Sequence, residues 1–173
     1  MSGTHSGNQS STLWLLVKLL LFTVLIPGTF GVYLPLSLAG NRPPDFDLGS
    51  LRYLGWVLIM IGASFYFRCA LDFAFKGRGT PAPIDAPKFL VTSHLYRMVR
   101  NPMYVGVLMV VVGEGLFLQS FAVLRYAGIA WLGFHLFVLL YEEPALRAKF
   151  GAEYEEYCRQ VPRWIPRRPS GTE

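Results

Sequence analysis

Two carboxylates stand side by side at the end of an apolar run, Leu139-Leu140-Tyr141-Glu142-Glu143-Pro144. At the other foot of the same hydrophobic hairpin stands Arg100-Asn101-Pro102-Met103-Tyr104-Val105-Gly106. Carboxylates at a membrane helix end are costly to hold there without a cation or a ligand's donors. They either cap the helix that follows or accept hydrogen bonds from a ligand's ammonium or diol. Arg100 either snorkels at a helix foot or clamps a ligand carboxylate or phosphate through its planar fork. Pro102 suits a first helical turn, with Asn101 as its cap. Tyr104, one turn in, carries a hydroxyl toward the interface.

Further ionisable groups lie on the same hairpin. His135 is seven residues before Glu142 and shares its helix face; it either lines a cavity or makes an interhelix hydrogen bond. Glu114, between Gly113 and Gly115, sits in mid-span, where an ionisable group is a functional candidate by default. The alternatives are a neutral acid or a pair with Arg68 or Lys18. Arg68 and Asp72 are one turn apart and pair on one face. Gly77-Arg78-Gly79 directly follows an apolar block, and His94, Tyr96 and Arg97 precede the Arg-Asn-Pro turn, where they can contact a nucleoside.

The elements that position these groups are membrane helices. The chain is 53% hydrophobic and 16% charged, against about a quarter charged in soluble domains, and its apolar residues come in long blocks. They predict an all-α polytopic bundle with spans at 13–38, 51–75, 102–118 and 121–141, and an amphipathic tail helix over 144–159. Pro27, Gly28 and Gly31 mark a bend in the first span. Spans three and four form a tight antiparallel hairpin around Gln119-Ser120. Residues 13–167 form one membrane domain, while residues 1–12 and 168–173 are expected to be disordered. The first dozen lack the basic n-region of a signal peptide.

Four spans put the N-terminus, the loop 76–100 and the tail on one side. That side holds Lys76, Arg78, Lys88, Arg97, Arg100, Arg147, Lys149, Arg159, Arg163, Arg167 and Arg168 of the 16 basic residues. The positive-inside rule makes it cytoplasmic. The net charge of +5 thus reflects membrane sidedness and not nucleic-acid binding. Cys69 and Cys158 support neither a disulfide framework nor a metal site. No P-loop or Gly-x-Gly-x-x-Gly fingerprint is present.

Arg100 to Gly106, Glu142-Glu143-Pro144 and Phe150-Gly151-x-Glu153-Tyr154-x-x-Tyr157 together resemble the isoprenylcysteine carboxyl methyltransferase and phospholipid methyltransferase superfamily. The resemblance runs from about Phe65 to Arg167. It implies an integral membrane enzyme using S-adenosylmethionine, with a lipophilic methyl acceptor entering from the bilayer. It assigns Gly77, Gly79, Glu142 and Glu143 to the cofactor, with Tyr96, Asn101, Pro102, Tyr104 and His135 around it. Arg100 and Glu142 are the expected catalytic pair: Arg100 would orient a carboxylate acceptor, and Glu142, Glu114 or His135 would take a proton from an amine. Isoprenylcysteine enzymes typically read Arg-His-Pro; Arg100-Asn101-Pro102 is closer to phospholipid methyltransferases. Ser93-His94-Leu95-Tyr96 has histidine where glycine is usual. The alternatives are an NADPH-dependent membrane reductase and a non-catalytic membrane scaffold.

Overall fold

The computed structural model describes residues 6–73, 75 and 89–165, and every regular element among them is helical. Helix α1 is Ser6–Leu25 and α2 is Leu34–Ala39, joined through a π turn at Thr29–Tyr33. A 3₁₀ turn at Gly49–Tyr53 leads into α3, Leu54–Asp72. Another at His94–Arg97 precedes α4, Pro102–Phe117. Helix α5, Phe121–Phe137, runs through a π turn at Val138–Glu142 into α6, Glu143–Phe150, and α7 is Ala152–Gln160.

Val17–Ala39, Gly49–Asp72 and Phe121–Phe150 are long and apolar enough to cross a membrane, and Pro102–Phe117 is a shorter apolar helix. Their outer faces carry exposed Leu20, Leu21, Val24, Ile129 and Leu140. Such faces are stable only against lipid, where an apolar surface costs nothing. The chain is an integral membrane helix bundle.

Backbone contact holds its centre. A Cβ on Gly62 would lie 2.5 Å from the Gly106 carbonyl oxygen, and one on Gly55 would lie 2.4 Å from that of Gly113. The reciprocal distances are 2.7 and 2.6 Å, so α3 and α4 touch backbone to backbone at two glycine pairs. Small residues are how membrane helices gain dispersion contact without a hydrophobic drive.

At the turn between α4 and α5, the loop after α2 closes the bundle. Asp45 Oδ2 accepts from the Phe121 N–H at 2.7 Å, and Gln119 Oε1 accepts from the Leu48 N–H at 2.7 Å. The Arg-Asn-Pro turn and the tail lie at the opposite end, so the sequence's division into two ends holds.

Two expectations change. Pro144 does not start a new tail helix: α5 continues to Phe150. Proline has no N–H for the Leu140 carbonyl and crowds it; the π turn absorbs both, with the Glu143 N–H reaching the Val138 oxygen. Pro35 follows the Thr29–Tyr33 π turn in the same way, where the expected bend falls, and the Tyr126 hydroxyl donates to the Phe30 carbonyl at 2.7 Å. The tail is also two helices rather than one, broken at Gly151, whose φ of +52° is the left-handed region that glycine enters freely.

Candidate active site

Both feet of the hairpin meet at one cavity. The start of α4 supplies Arg100, Asn101 and Tyr104; the end of α5 supplies Tyr141 and Glu142. Tyr96 forms a wall from the 3₁₀ turn, and Tyr154 and Tyr157 close it from α7. The cavity has a volume of about 130 Å³. Burial raises the phenols of Tyr96, Tyr154 and Tyr157 above their ordinary range, so these walls are neutral.

The two adjacent carboxylates have different surroundings. Glu142 faces the cavity, and Tyr104 donates to its Oε2 at 2.9 Å. That is its hydrogen bond among the described residues, leaving acceptor capacity directed at the cavity. Glu143 is 1% exposed and faces three guanidinium groups. Arg163 donates to Oε1 at 2.6 Å and to Oε2 at 3.0 Å, Arg100 approaches Oε1 at 3.1 Å, and Arg147 approaches Oε2 at 3.4 Å.

These pairs belong to a strap that fastens the tail over the cavity. The Arg100 N–H donates to the Pro162 carbonyl at 2.9 Å. The Asn101 amide donates to the Arg163 carbonyl at 3.1 Å. Asn101 therefore occupies the cap position of α4 without a side-chain cap bond, a correction to the expected role: the tail competes for its amide. The Tyr157 hydroxyl donates to the Tyr96 carbonyl at 2.8 Å. The Arg100 guanidinium also donates to Cys158 Sγ at 2.8 Å, while its buried Nε–H has no partner among the described residues. A buried N–H beside a cavity wants an acceptor.

Of the residues expected around a cofactor, Tyr96, Arg100, Asn101, Tyr104, Glu142 and Glu143 line this cavity. His135 does not: its Nδ1 accepts from the Trp164 indole at 3.0 Å and its ring stacks on Trp131. It makes a hydrogen-bonded contact, as the alternative reading has it, but to the non-helical tail after α7 and not to another helix. Pro102 is buried at the start of α4, behind the cavity wall. Gly77 and Gly79 lie outside the described residues. Arg68 is directed to Asp72 at 3.9 Å and to His94 at 2.6 Å, so the pair on one face is present and Glu114 is not its partner. His94 also approaches Asp72 at 3.2 Å and has a φ of +53°. That left-handed backbone explains why glycine suits the position.

The tail tyrosines and Arg163 were not singled out as site residues. Tyr154 and Tyr157 were visible as an amphipathic face, but which surface that face covers depends on the break at Gly151. Arg163 carried no signal of its own.

A family model for phospholipid methyltransferase matches residues 50–153. Protein-S-isoprenylcysteine O-methyltransferase B of Arabidopsis thaliana is 35% identical over 78 residues, 44% of this chain and 39% of that protein. Protein-S-isoprenylcysteine O-methyltransferase of Schizosaccharomyces pombe is 36% identical over 81 residues, 46% of this chain and 34% of that protein. Methanethiol S-methyltransferase 2 of Bradyrhizobium diazoefficiens is 34% identical over 123 residues, 68% of this chain and 44% of that protein. The matches span less than half the length of these relatives. The family match itself runs from the foot of α3 into α7 and takes in both sides of the cavity, and the chain belongs to the phospholipid methyltransferase family.

Proposed function

We propose that this chain transfers a methyl group from S-adenosylmethionine to a lipophilic acceptor at the cytoplasmic face of its membrane. The observation that carries the reading is the cavity's complementary pair: a Glu142 carboxylate with acceptor capacity to offer and an Arg100 guanidinium whose buried Nε–H lacks an acceptor among the described residues. S-adenosylmethionine has the matching groups, an ammonium and a ribose diol that donate and a carboxylate that accepts. When bound, it supplies a methyl group activated on a sulfonium sulfur.

The chain's own residues then align and dehydrate. Glu142, held by Tyr104, fixes the cofactor's donors; Arg100 holds a carboxylate. Glu143 is a positioning residue: it fastens Arg163 and the tail strap, which keeps the tyrosine walls over the cavity. Alignment and exclusion of water lower the barrier of a displacement at carbon. The basic end of the bundle carries this cavity, which supports the cytoplasmic placement. The acceptor enters from the bilayer. The named relatives are isoprenylcysteine O-methyltransferases and a methanethiol S-methyltransferase, and the family is that of phospholipid methyltransferase, so the acceptor panel contains an oxygen, a sulfur and a lipid-amine nucleophile.

The test is calorimetric binding of S-adenosylmethionine and, separately, NADPH to the detergent-purified protein, followed by transfer of a radiolabelled methyl group to that panel. Saturable S-adenosylmethionine binding and label in one acceptor are expected. NADPH binding instead moves the chain to the reductases, and binding of neither leaves the scaffold reading. Arg100→Ala is a poor probe, since it also breaks the strap; Glu142→Gln and Tyr104→Phe touch the cavity alone.

A further inference from the structure

A second cavity lies within the membrane-spanning part of the bundle, between the broken first helix, α3 and α4. Its volume is about 440 Å³, and its wall is almost wholly apolar. It runs along α3 from Trp56 to Phe67 and along α4 from Val107 to Leu118, about 16 Å at 1.5 Å per residue. The π turn at Thr29–Tyr33 bows the first helix around it, with Pro27, Gly28 and Gly31 in the wall.

One group in that wall is out of place. Glu114 is 7% exposed, lines the cavity, and its buried Oε2 has no hydrogen-bond partner among the described residues. The hydroxyls at the other end, Thr23 and Tyr66, bond each other at 2.8 Å. Water does not answer the need of Glu114, because a stably buried water requires two to four polar partners. A plain acyl chain would fill the space and leave the oxygen unsatisfied, at the full cost of a buried polar atom. An ammonium would bring its own desolvation cost into mid-span. A hydroxyl both donates and accepts, so it pairs with the carboxyl whichever proton that group holds.

We propose that this cavity binds a neutral amphiphile whose apolar chain fills it along α3 and α4 and whose terminal hydroxyl bonds Glu114. Glu114 lies some three turns of α4 from Tyr104, and although Val107 brings the near end of this cavity within a turn of it, the two cavities share no lining residue, so the site stands whatever the other cavity transfers.

The test uses the full-length chain in detergent micelles and N,N′-dicyclohexylcarbodiimide, an apolar reagent that adds whole to a protonated carboxyl. The modified residue is read by peptide mass spectrometry. Glu114 is expected to be modified, and 1-dodecanol to slow that modification saturably, at least tenfold more effectively than equimolar dodecane. Equal protection by dodecane overturns the hydroxyl recognition; no protection by either overturns the site. A Glu114 that fails to react without competitor shows a carboxyl closed to the cavity and overturns it as well. No substitution is needed, so failure to fold cannot imitate any outcome, and methyl transfer is not part of the readout.

Discussion

Exchanging the two adjacent glutamates for glutamine, one at a time, separates binding from architecture. In Glu142→Gln the new amide oxygen still accepts from Tyr104, whose hydroxyl is the residue's partner at 2.9 Å. Stability should change by less than about 1 kcal/mol, the worth of one ordinary hydrogen bond. The ligand loses a charged acceptor, worth about 1.5–3 kcal/mol, so S-adenosylmethionine affinity should fall about 10- to 150-fold. Glu143→Gln does the reverse. It removes the anion from among Arg100, Arg147 and Arg163, two of which keep partial access to solvent, at 27% and 42% for Arg163 and Arg147. Breaking a buried pair costs about 3–5 kcal/mol, and the solvated arginines place this case near about 3 kcal/mol. The assays are thermal unfolding in detergent and titration calorimetry with S-adenosylmethionine, run on the same preparations. If Glu142→Gln lowers the Tm as much as Glu143→Gln does while affinity holds, the division of labour between them is wrong.

Gly62→Ala and Gly106→Ala each place a methyl group against a carbonyl oxygen of the facing helix, 2.5 and 2.7 Å away. Each should cost about 1–3 kcal/mol as α3 and α4 part, while Gly128→Ala, with nothing within 4 Å, should leave the Tm unchanged or raise it. His94→Ala and His94→Gly both lose the contacts to Asp72 and Arg68, but only alanine retains the strain of a φ near +53°; alanine should be the less stable by about 1 kcal/mol, and equal Tm values would show that the backbone is not strained there. Tyr157→Phe removes the donor to the Tyr96 carbonyl and should cost about 1 kcal/mol, seen as a lower Tm; an unaltered Tm would mean that the strap is held without it.

The spans were legible because membrane helices announce themselves through long apolar runs, and the hairpin because Gln119-Ser120 leaves room for little but a turn. The cavity's position was legible too, since charge and proline mark both feet of that hairpin. Gly113 beside Glu114 signalled close helix contact, but its partner Gly55 did not, because pairing depends on the rotation of α3 about its axis. The π turns were not readable as such: Pro35 and Pro144 announce a disturbed ladder without saying whether the helix ends or widens. For Pro144 the widening wins because the residues after it, Ala145 to Phe150, are good helix formers and α6 continues along the axis of α5.

The different surroundings of Glu142 and Glu143 show what adjacency in sequence does not tell. Neighbours on a helix point about 100° apart at 3.6 residues per turn. Glu142 offers its carboxylate to the cavity between α4 and α5, and Glu143, which also lines it, turns its carboxylate to the returning tail. Which of the two takes which place is decided by the extra residue that the π turn inserts between Val138 and Glu142, since that shifts every later side chain by about one position in the helical register. Without that insertion the orientation of the pair about the axis would differ, and Arg163, arriving 20 residues later, would not find Glu143 beneath it. The proline that widens the turn thus contributes to the site without touching a ligand: it sets the rotation that aims Glu142 inward and gives Glu143 to the arginines.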